Sequence, residues 1–231
     1  MTSMTTFCGV AICAFWAAAA AADPTQFLCV IASPRVTECS GLAASGRDGD
    51  VFWTHNDSGD KPRLYAFNRR GEDLGTFEVE GASAVDWEDI ASFDLDGRPF
   101  LLCADTGDNE RRRKTSALYL VEEPIIPETK TPEVRKVPLA RRIVFRYEDG
   151  PHDCEAVAVD VLDLMIYLMT KERQTPSSSV YALPLSGGEE GTVLTARKIG
   201  ETPLWPVTAM DISRDGLRAA VLSGLRIVEF R

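Results

Sequence analysis

Histidine is nearly missing from this chain: His55 and His152 are the only two in 231 residues. With no two cysteines at ligand spacing either, a zinc centre of imidazole and thiolate is disfavoured. No Gly-x-Ser-x-Gly elbow occurs, and Ser40 and Thr208 have no base to draw on beyond those two histidines, which argues against a Ser-His-Asp hydrolase. No window shows helical three-to-four-residue apolar spacing over ten or more positions. After residue 22 no apolar run is long enough to span a bilayer. Positive charge is also short, with 25 Lys and Arg against 35 Asp and Glu, a formal net charge of −10. Such a surface repels nucleic acid and suits metal cations and neutral or cationic ligands.

What is present begins with an export leader. Met1–Thr6 is polar, Phe7–Trp16 is apolar, and Ala17–Ala22 ends in small residues before Asp23-Pro24, the layout of a cleavable secretory signal, although the first segment carries no Lys or Arg. The expected location is secreted or periplasmic. Residues 23–231 then form the mature part, 231 − 22 = 209 residues, enough for one sizeable core. Cys8 and Cys13 leave with the leader, and Cys29, Cys39, Cys103 and Cys154 remain. Export permits disulfides, and the sequence does not choose among the three possible pairings.

The mature part reads as short strands separated by turns. Val51–His55, Arg63–Asn68, Phe100–Cys103, Ala117–Val121, Arg142–Tyr147, Met165–Thr170, Val180–Leu183, Leu217–Leu222 and Arg226–Phe230 carry β-formers. Asp48-Gly49, Asp96-Gly97, Asp149-Gly150, Gly187-Gly188 and Asp215-Gly216 punctuate them. One short segment recurs: Ser40-Gly41-Leu42-Ala43, Glu88-Asp89-Ile90-Ala91, Glu155-Ala156-Val157-Ala158 and Thr208-Ala209-Met210-Asp211. The spacings are 88 − 40 = 48, 155 − 88 = 67 and 208 − 155 = 53 residues. Periods near 40–50 residues, stretched by loops, suit four-stranded propeller blades.

The expected fold is therefore an all-β propeller with each copy as an innermost strand and its polar residue turned to a central channel. Blades fall at about 38–80, 85–147 and 154–199, and a fourth starts near Pro206 and stops in its third strand. Pro124–Pro138, with four prolines, reads as a long loop inside the second blade. A wheel of about three and a half blades is open, so the expectation is either truncation, which we favour, or closure by self-association through an exposed strand edge. Trp53, Trp87 and Trp205 are expected to fill space between blades.

Four acidic stretches sit at strand starts or directly after strands. They are His55–Asp60, with Asp57 and Asp60; Asp86–Asp89, with Asp86, Glu88 and Asp89; Asp105–Asn109, with Asp105, Asp108 and Asn109; and His152–Glu155, with Asp153 and Glu155. Calcium takes six to eight hard oxygen ligands, which Asp/Asn/Gly turns supply at short reach. An acidic residue on an inner strand is costly unless paired or metal-bound, which singles out Glu88 and Glu155. Asp48, Asp96 and Asp215 are ordinary turn residues. Arg111–Lys114 is either an anion clamp or a solvated loop.

These residues resemble a family of secreted bacterial propellers described as phytase-like, or esterase-like activity of phytase. The matching pieces are Ser40–Ala43, Thr54–Asp60, Asp86–Ala91, Asp105–Asn109, Tyr119 with Glu123-Pro124, and Asp153–Ala156 followed by Tyr167 and Thr170-Lys171; Cys154 departs from the family motif. The resemblance implies six blades, and therefore about two absent here. It also implies calcium held by Glu155, Glu88 and nearby aspartates, with Arg112 or Lys171 contacting phosphate. No catalytic residue is assigned. Three functions are in play: a secreted calcium-binding propeller with a ligand- or partner-binding face, a calcium-dependent phosphoric ester hydrolase, and a degenerate fragment.

Overall fold

The computed structural model describes residues 27–129, 132–172, 175–189, 191–224 and 226–231. The leader expected over residues 1–22 lies outside them. Among the described residues no helix forms, and none is therefore long and apolar enough to cross a membrane.

The first blade is an antiparallel meander of β1 (Cys39–Ala44), β2 (Val51–Asn56), β3 (Arg63–Asn68) and β4 (Asp73–Glu80). The second runs β5 (Trp87–Leu95), β6 (Arg98–Asp105) and β7 (Ser116–Glu122); the chain then leaves it as β8 (Val134–Pro138) and returns as β9 (Arg141–Tyr147). The third is β10 (Cys154–Asp160), β11 (Met165–Thr170), β12 (Ser178–Pro184) and β13 (Val193–Thr202). The last contains β14 (Val207–Ile212), β15 (Ala219–Ser223) and β16 (Arg226–Phe230). Strands β1, β5, β10 and β14 pack beside one another around a common axis, so the architecture is a β-propeller of three four-stranded blades and one three-stranded one.

Pro124–Pro138 is not all loop. Strand β8 pairs in parallel with β4, Thr76 opposite Val134 through Glu80 opposite Pro138, and so caps the outer edge of the first blade. The first half of β13 does the same for the second blade, Val193–Ala196 running parallel to Val144–Tyr147, before its second half pairs with β12. These outer strands escaped sequence reading because they are half exposed and charged, with no apolar alternation. Pro138 is tolerated because it ends an edge strand.

Three apolar layers fill the spaces between blades. Trp53, Phe77, Trp87 and Tyr119 join the first two blades; Leu102, Phe145, Leu168 and Tyr181 join the second and third; Ala156, Met169, Val207 and Met210 join the third and fourth. Each large side chain so buried stabilises by about 1.5–3 kcal/mol. Trp205 departs from the expectation: it is 46% exposed, its indole N–H donating to the Glu172 carbonyl. Glu123, 2% exposed, accepts from Trp53 Nε1 at 2.9 Å, Gly46 N at 2.8 Å and the Ser45 hydroxyl, tying the first two blades near their rim. Cys29, Cys39, Cys103 and Cys154 are all free thiols, so no pairing forms among them.

The four inner strands share one irregularity. Pairing slips by a residue between Cys39 and Leu42, between Trp87 and Asp89, between Cys154 and Ala156, and between Val207 and Ala209. In the last three the extra residue is Glu88, Glu155 and Thr208. A bulge leaves its residue outside the ladder and re-aims its side chain, so the recurrent polar residue is the bulge residue.

Just beyond these bulges lies Asp89, 2% exposed. Its Oδ1 accepts from Ile90 N at 2.9 Å, and its Oδ2 from Val157 N at 2.9 Å and Met210 N at 3.3 Å. Those amides occupy the same position of the second, third and fourth repeats. Next to it the backbone of β1 comes so close that a Cβ on Gly41 would lie 2.7 Å from Ile90 N and 2.6 Å from His55 Nε2. Asp89→Ala strands three buried amides at the hub, and each orphaned donor costs about 1–3 kcal/mol. Urea unfolding is expected to show a loss of at least about 3 kcal/mol; a loss below about 1 kcal/mol would remove Asp89 from that role.

Candidate metal centre

The bulges at Glu88 and Glu155 turn both carboxylates to the channel mouth, where the loops after β2 and before β5 and β10 add Asp57, Asp86 and Asp153. Two triads result, Asp57–Asp86–Glu88 and Glu88–Asp153–Glu155, each offering carboxylate oxygens within 4.8 Å of one another. Glu88 belongs to both. Glu88, Asp153 and Glu155 are buried; Asp57 and Asp86 are half-buried and open the site to solvent.

The loop after β6 closes the floor. Thr106 and Gly107 donate backbone N–H to the Asp86 carbonyl at 3.2 and 3.1 Å, and Asp108 N donates to Asp153 Oδ1 at 2.9 Å. Gly107 is needed for this approach: a Cβ there would sit 2.3 Å from Glu88 Oε1 and 2.4 Å from Asp86 Oδ2. The other oxygen of Asp153, Oδ2, is buried and accepts no hydrogen bond among the described residues. A desolvated carboxylate oxygen without a donor is costly unless a cation completes it.

Charge here is one-sided. Lys171 reaches Glu155 Oε1 as the one cation in direct contact with the five carboxylates among the described residues. Burial pushes the Glu88 carboxyl up to about 9, helped by Glu155, Asp57, Asp86 and Asp153. Burial and the neighbouring Asp57 carry Asp86 to about 6. Burial also raises Glu155, opposed by Lys171. At the hub, burial outweighs three donated amides and lifts Asp89 to about 8.

The other residues singled out in the sequence lie elsewhere. Asp89 faces the hub amides instead of the triads. Asp105 supports the floor, accepting from Asp86 N at 3.1 Å and pairing with Arg113 at 2.9 Å. The Asp108 carboxylate caps its own loop through Arg112 N and Arg113 N at 2.9 and 2.7 Å. Asn109 is exposed on that loop. Asp60 accepts from Asn56 Nδ2 at 2.7 Å and Tyr65 OH at 2.5 Å in a separate polar cleft of about 290 Å³. Arg112 is 78% exposed and pairs with Glu110 at 2.7 Å, away from the triads.

Sequence reasoning missed Arg113, the member of Arg111–Lys114 that turns inward, bonding Asp105 Oδ1 and the Gly107 carbonyl, both at 2.9 Å. Nothing in the run of like charges separates Arg113 from Arg112. Among the described residues neither histidine sits beside a free nucleophile: Ser40 Oγ donates to the Glu88 carbonyl at 2.8 Å, while His152 Nε2 lies 2.8 Å from Tyr181 OH and 3.0 Å from Asp149. His55 is enclosed, and that burial lowers its basicity.

No family model matches the chain, and no curated protein matches it. Solved structures similar to it include the β-propeller domain of Cps50 (Swd1) from Myceliophteria thermophila, at 13% identity and TM-score 0.46, over 83% of this chain and 53% of that one. The Dos1 propeller is similar at 11% identity and TM-score 0.40, over 79% of this chain and 42% of that one. Kuenenia stuttgartiensis hydrazine synthase is similar at 10% identity and TM-score 0.43, over 83% and 70%. The chain thus spans 53% and 42% of the first two.

The raised carboxyls set a pH dependence. Above the ordinary carboxylate range, Asp86 up to about 6, Asp89 up to about 8 and Glu88 up to about 9 hold protons in the native state that the unfolded chain has released. Stability then falls as pH rises, since the unfolded state binds fewer protons. In chelator-treated buffer the urea midpoint is expected to drop steadily from pH 5.5 to pH 8.5. A flat or rising profile contradicts the assignment.

Proposed function

We propose that this chain is a cation-binding β-propeller domain whose acidic rim, once loaded with calcium, presents a face for a ligand or a protein partner. The observation that carries the reading is the pair of carboxylate triads joined at Glu88, drawn from three blades, in which Asp153 Oδ2 is a buried oxygen that finds no donor among the described residues. All the donors are hard oxygens, which favours calcium or a similar cation over zinc. An ion at Asp57–Asp86–Glu88 would link the first and second repeats and one at Glu88–Asp153–Glu155 the second and third, so loading is expected to order the rim as well as neutralise it. The leader-like Met1–Ala22 supports a secreted or periplasmic location for this work.

Calcium at 100-fold over its dissociation constant is expected to stabilise the native state by about 2.7 kcal/mol. A clear rise in melting temperature should follow, one that chelation reverses and Glu88→Gln abolishes. Equal melting curves with calcium and with chelator would overturn the reading.

A second reading, a calcium-dependent phosphoric ester hydrolase, draws on the resemblance to phytase-like propellers and on the half-buried Asp57 and Asp86, which leave one side of the site open to a substrate. A cation there would bind phosphate oxygens and lower the pKa of a bound water. It predicts phosphate release from a panel of phosphate esters that chelator stops and Glu155→Gln lowers by at least tenfold. A loaded protein that turns over no ester on the panel leaves the binding reading alone standing.

A further inference from the structure

The two triads differ in how far the protein has completed them. In the outer one, Asp57 and Asp86 are half-buried, so water reaches their carboxylates, and Asp57 Oδ1 accepts from Ser58 N at 2.6 Å. In the inner one, Glu88, Asp153 and Glu155 are all buried. Asp153 Oδ1 takes the Asp108 amide, while Oδ2 is enclosed and finds no donor among the described residues. An oxygen stripped of water and left without a donor is the kind a bound cation completes.

The inner triad also carries a built-in positive charge. Cys154 pairs with Thr170 across the β10–β11 hairpin, and Lys171 N donates to the Asp153 carbonyl at 2.9 Å, which sets the lysine beside Glu155. Its ammonium pairs with Glu155 Oε1 alone among the described carboxylates, so Glu88 and Asp153 Oδ2 stay open to an ion. Three ionised carboxylates and one ammonium sum to −3 + 1 = −2, the charge that one divalent cation cancels. Without the ammonium the sum is −3, which suits a trivalent ion. Charge left uncancelled in a desolvated site is costly, so this match weighs on which ion is held.

We propose that Glu88–Asp153–Glu155 is the tighter ion site of the rim, and that Lys171 stays on Glu155 when the ion binds, as a fixed counter-charge matching the site to one divalent ion. This rests on the cation-binding reading above and adds the ion's position and the residue that selects its valence. Lys171 acts through Glu155 and is no ligand itself. Coulomb energy scales with the ion's charge, so removing the ammonium favours a trivalent ion half as much again as a divalent one.

Isothermal titration of the chelator-treated full chain with calcium chloride, and separately with terbium chloride, tests both parts. Asp153→Asn keeps the acceptor for the Asp108 amide and is expected to weaken the tightest calcium site at least about tenfold, against about threefold or less for the half-buried Asp57→Asn. Urea unfolding in chelator should find Asp153→Asn no less stable than wild type, so the lost affinity is not lost fold. The terbium-to-calcium affinity ratio is expected to rise at least about tenfold in Lys171→Met and to hold within about threefold in Lys171→Arg, which keeps the charge. A merely structural role for Lys171 would move both affinities together. An unchanged ratio in Lys171→Met, or a tightest calcium site that Asp153→Asn leaves in place, overturns the proposal while leaving cation binding intact. No calcium binding to the wild type overturns both.

Discussion

A single buried carboxylate fixes the geometry of the hub. Asp89 gathers the amides of Ile90, Val157 and Met210, one from each of three successive repeats, onto two oxygens that solvent hardly reaches. Apolar packing between blades is non-directional and would accept a range of tilts. Hydrogen bonds to one carboxylate are not so tolerant, and they hold β5, β10 and β14 at a common height. The bulges that precede these amides are then at a common height too, which is why Glu88 and Glu155 meet at the channel mouth.

Acidity is concentrated where the fold makes it most expensive. Asp89, Glu88, Asp153 and Glu155 are each under 10% exposed, and two different solutions are visible. Asp89 and Glu123 are satisfied by donors within the protein and act as ties between blades. The triads are short of donors, with Lys171 and the Ser58 and Asp108 amides the ones in direct contact among the described residues. The first arrangement is structural cement; the second has the character of a site, since its unmet electrostatic demand is of the kind a divalent cation meets.

Much of this was legible in the sequence, for a physical reason. Short strands with Asp-Gly turns and no helical spacing indicate β architecture, and Arg63–Asn68, Met165–Thr170 and Arg226–Phe230 carry bounds that can be read directly. The repeat showed itself because each inner strand needs the same sequence of a polar bulge residue, a small or hub residue, and then apolar ones. Strands β8 and β13 were not legible, because at the blade rims they bury too little on either face to impose apolar alternation. Within the acidic stretches, Asp60 and Asp108 look as ligand-like as Asp57 and Asp153, yet their oxygens are taken by Tyr65, Asn56 and local amides.

The chain's own residues thus determined the β architecture, the number and spacing of the repeats, and the one place in each where a polar group is set against an inner strand. Only the folded wheel decided which acids share a cavity, that Asp89 ties blades together while Glu88 belongs to both triads, and that Arg113, not Arg112, turns inward. Local sequence governs turn and strand preference through neighbours a few residues away. A carboxylate's role is set by what lies within a few ångströms of it, and for Asp153 and Asp89 those neighbours include amides from 45 to 121 positions away along the chain.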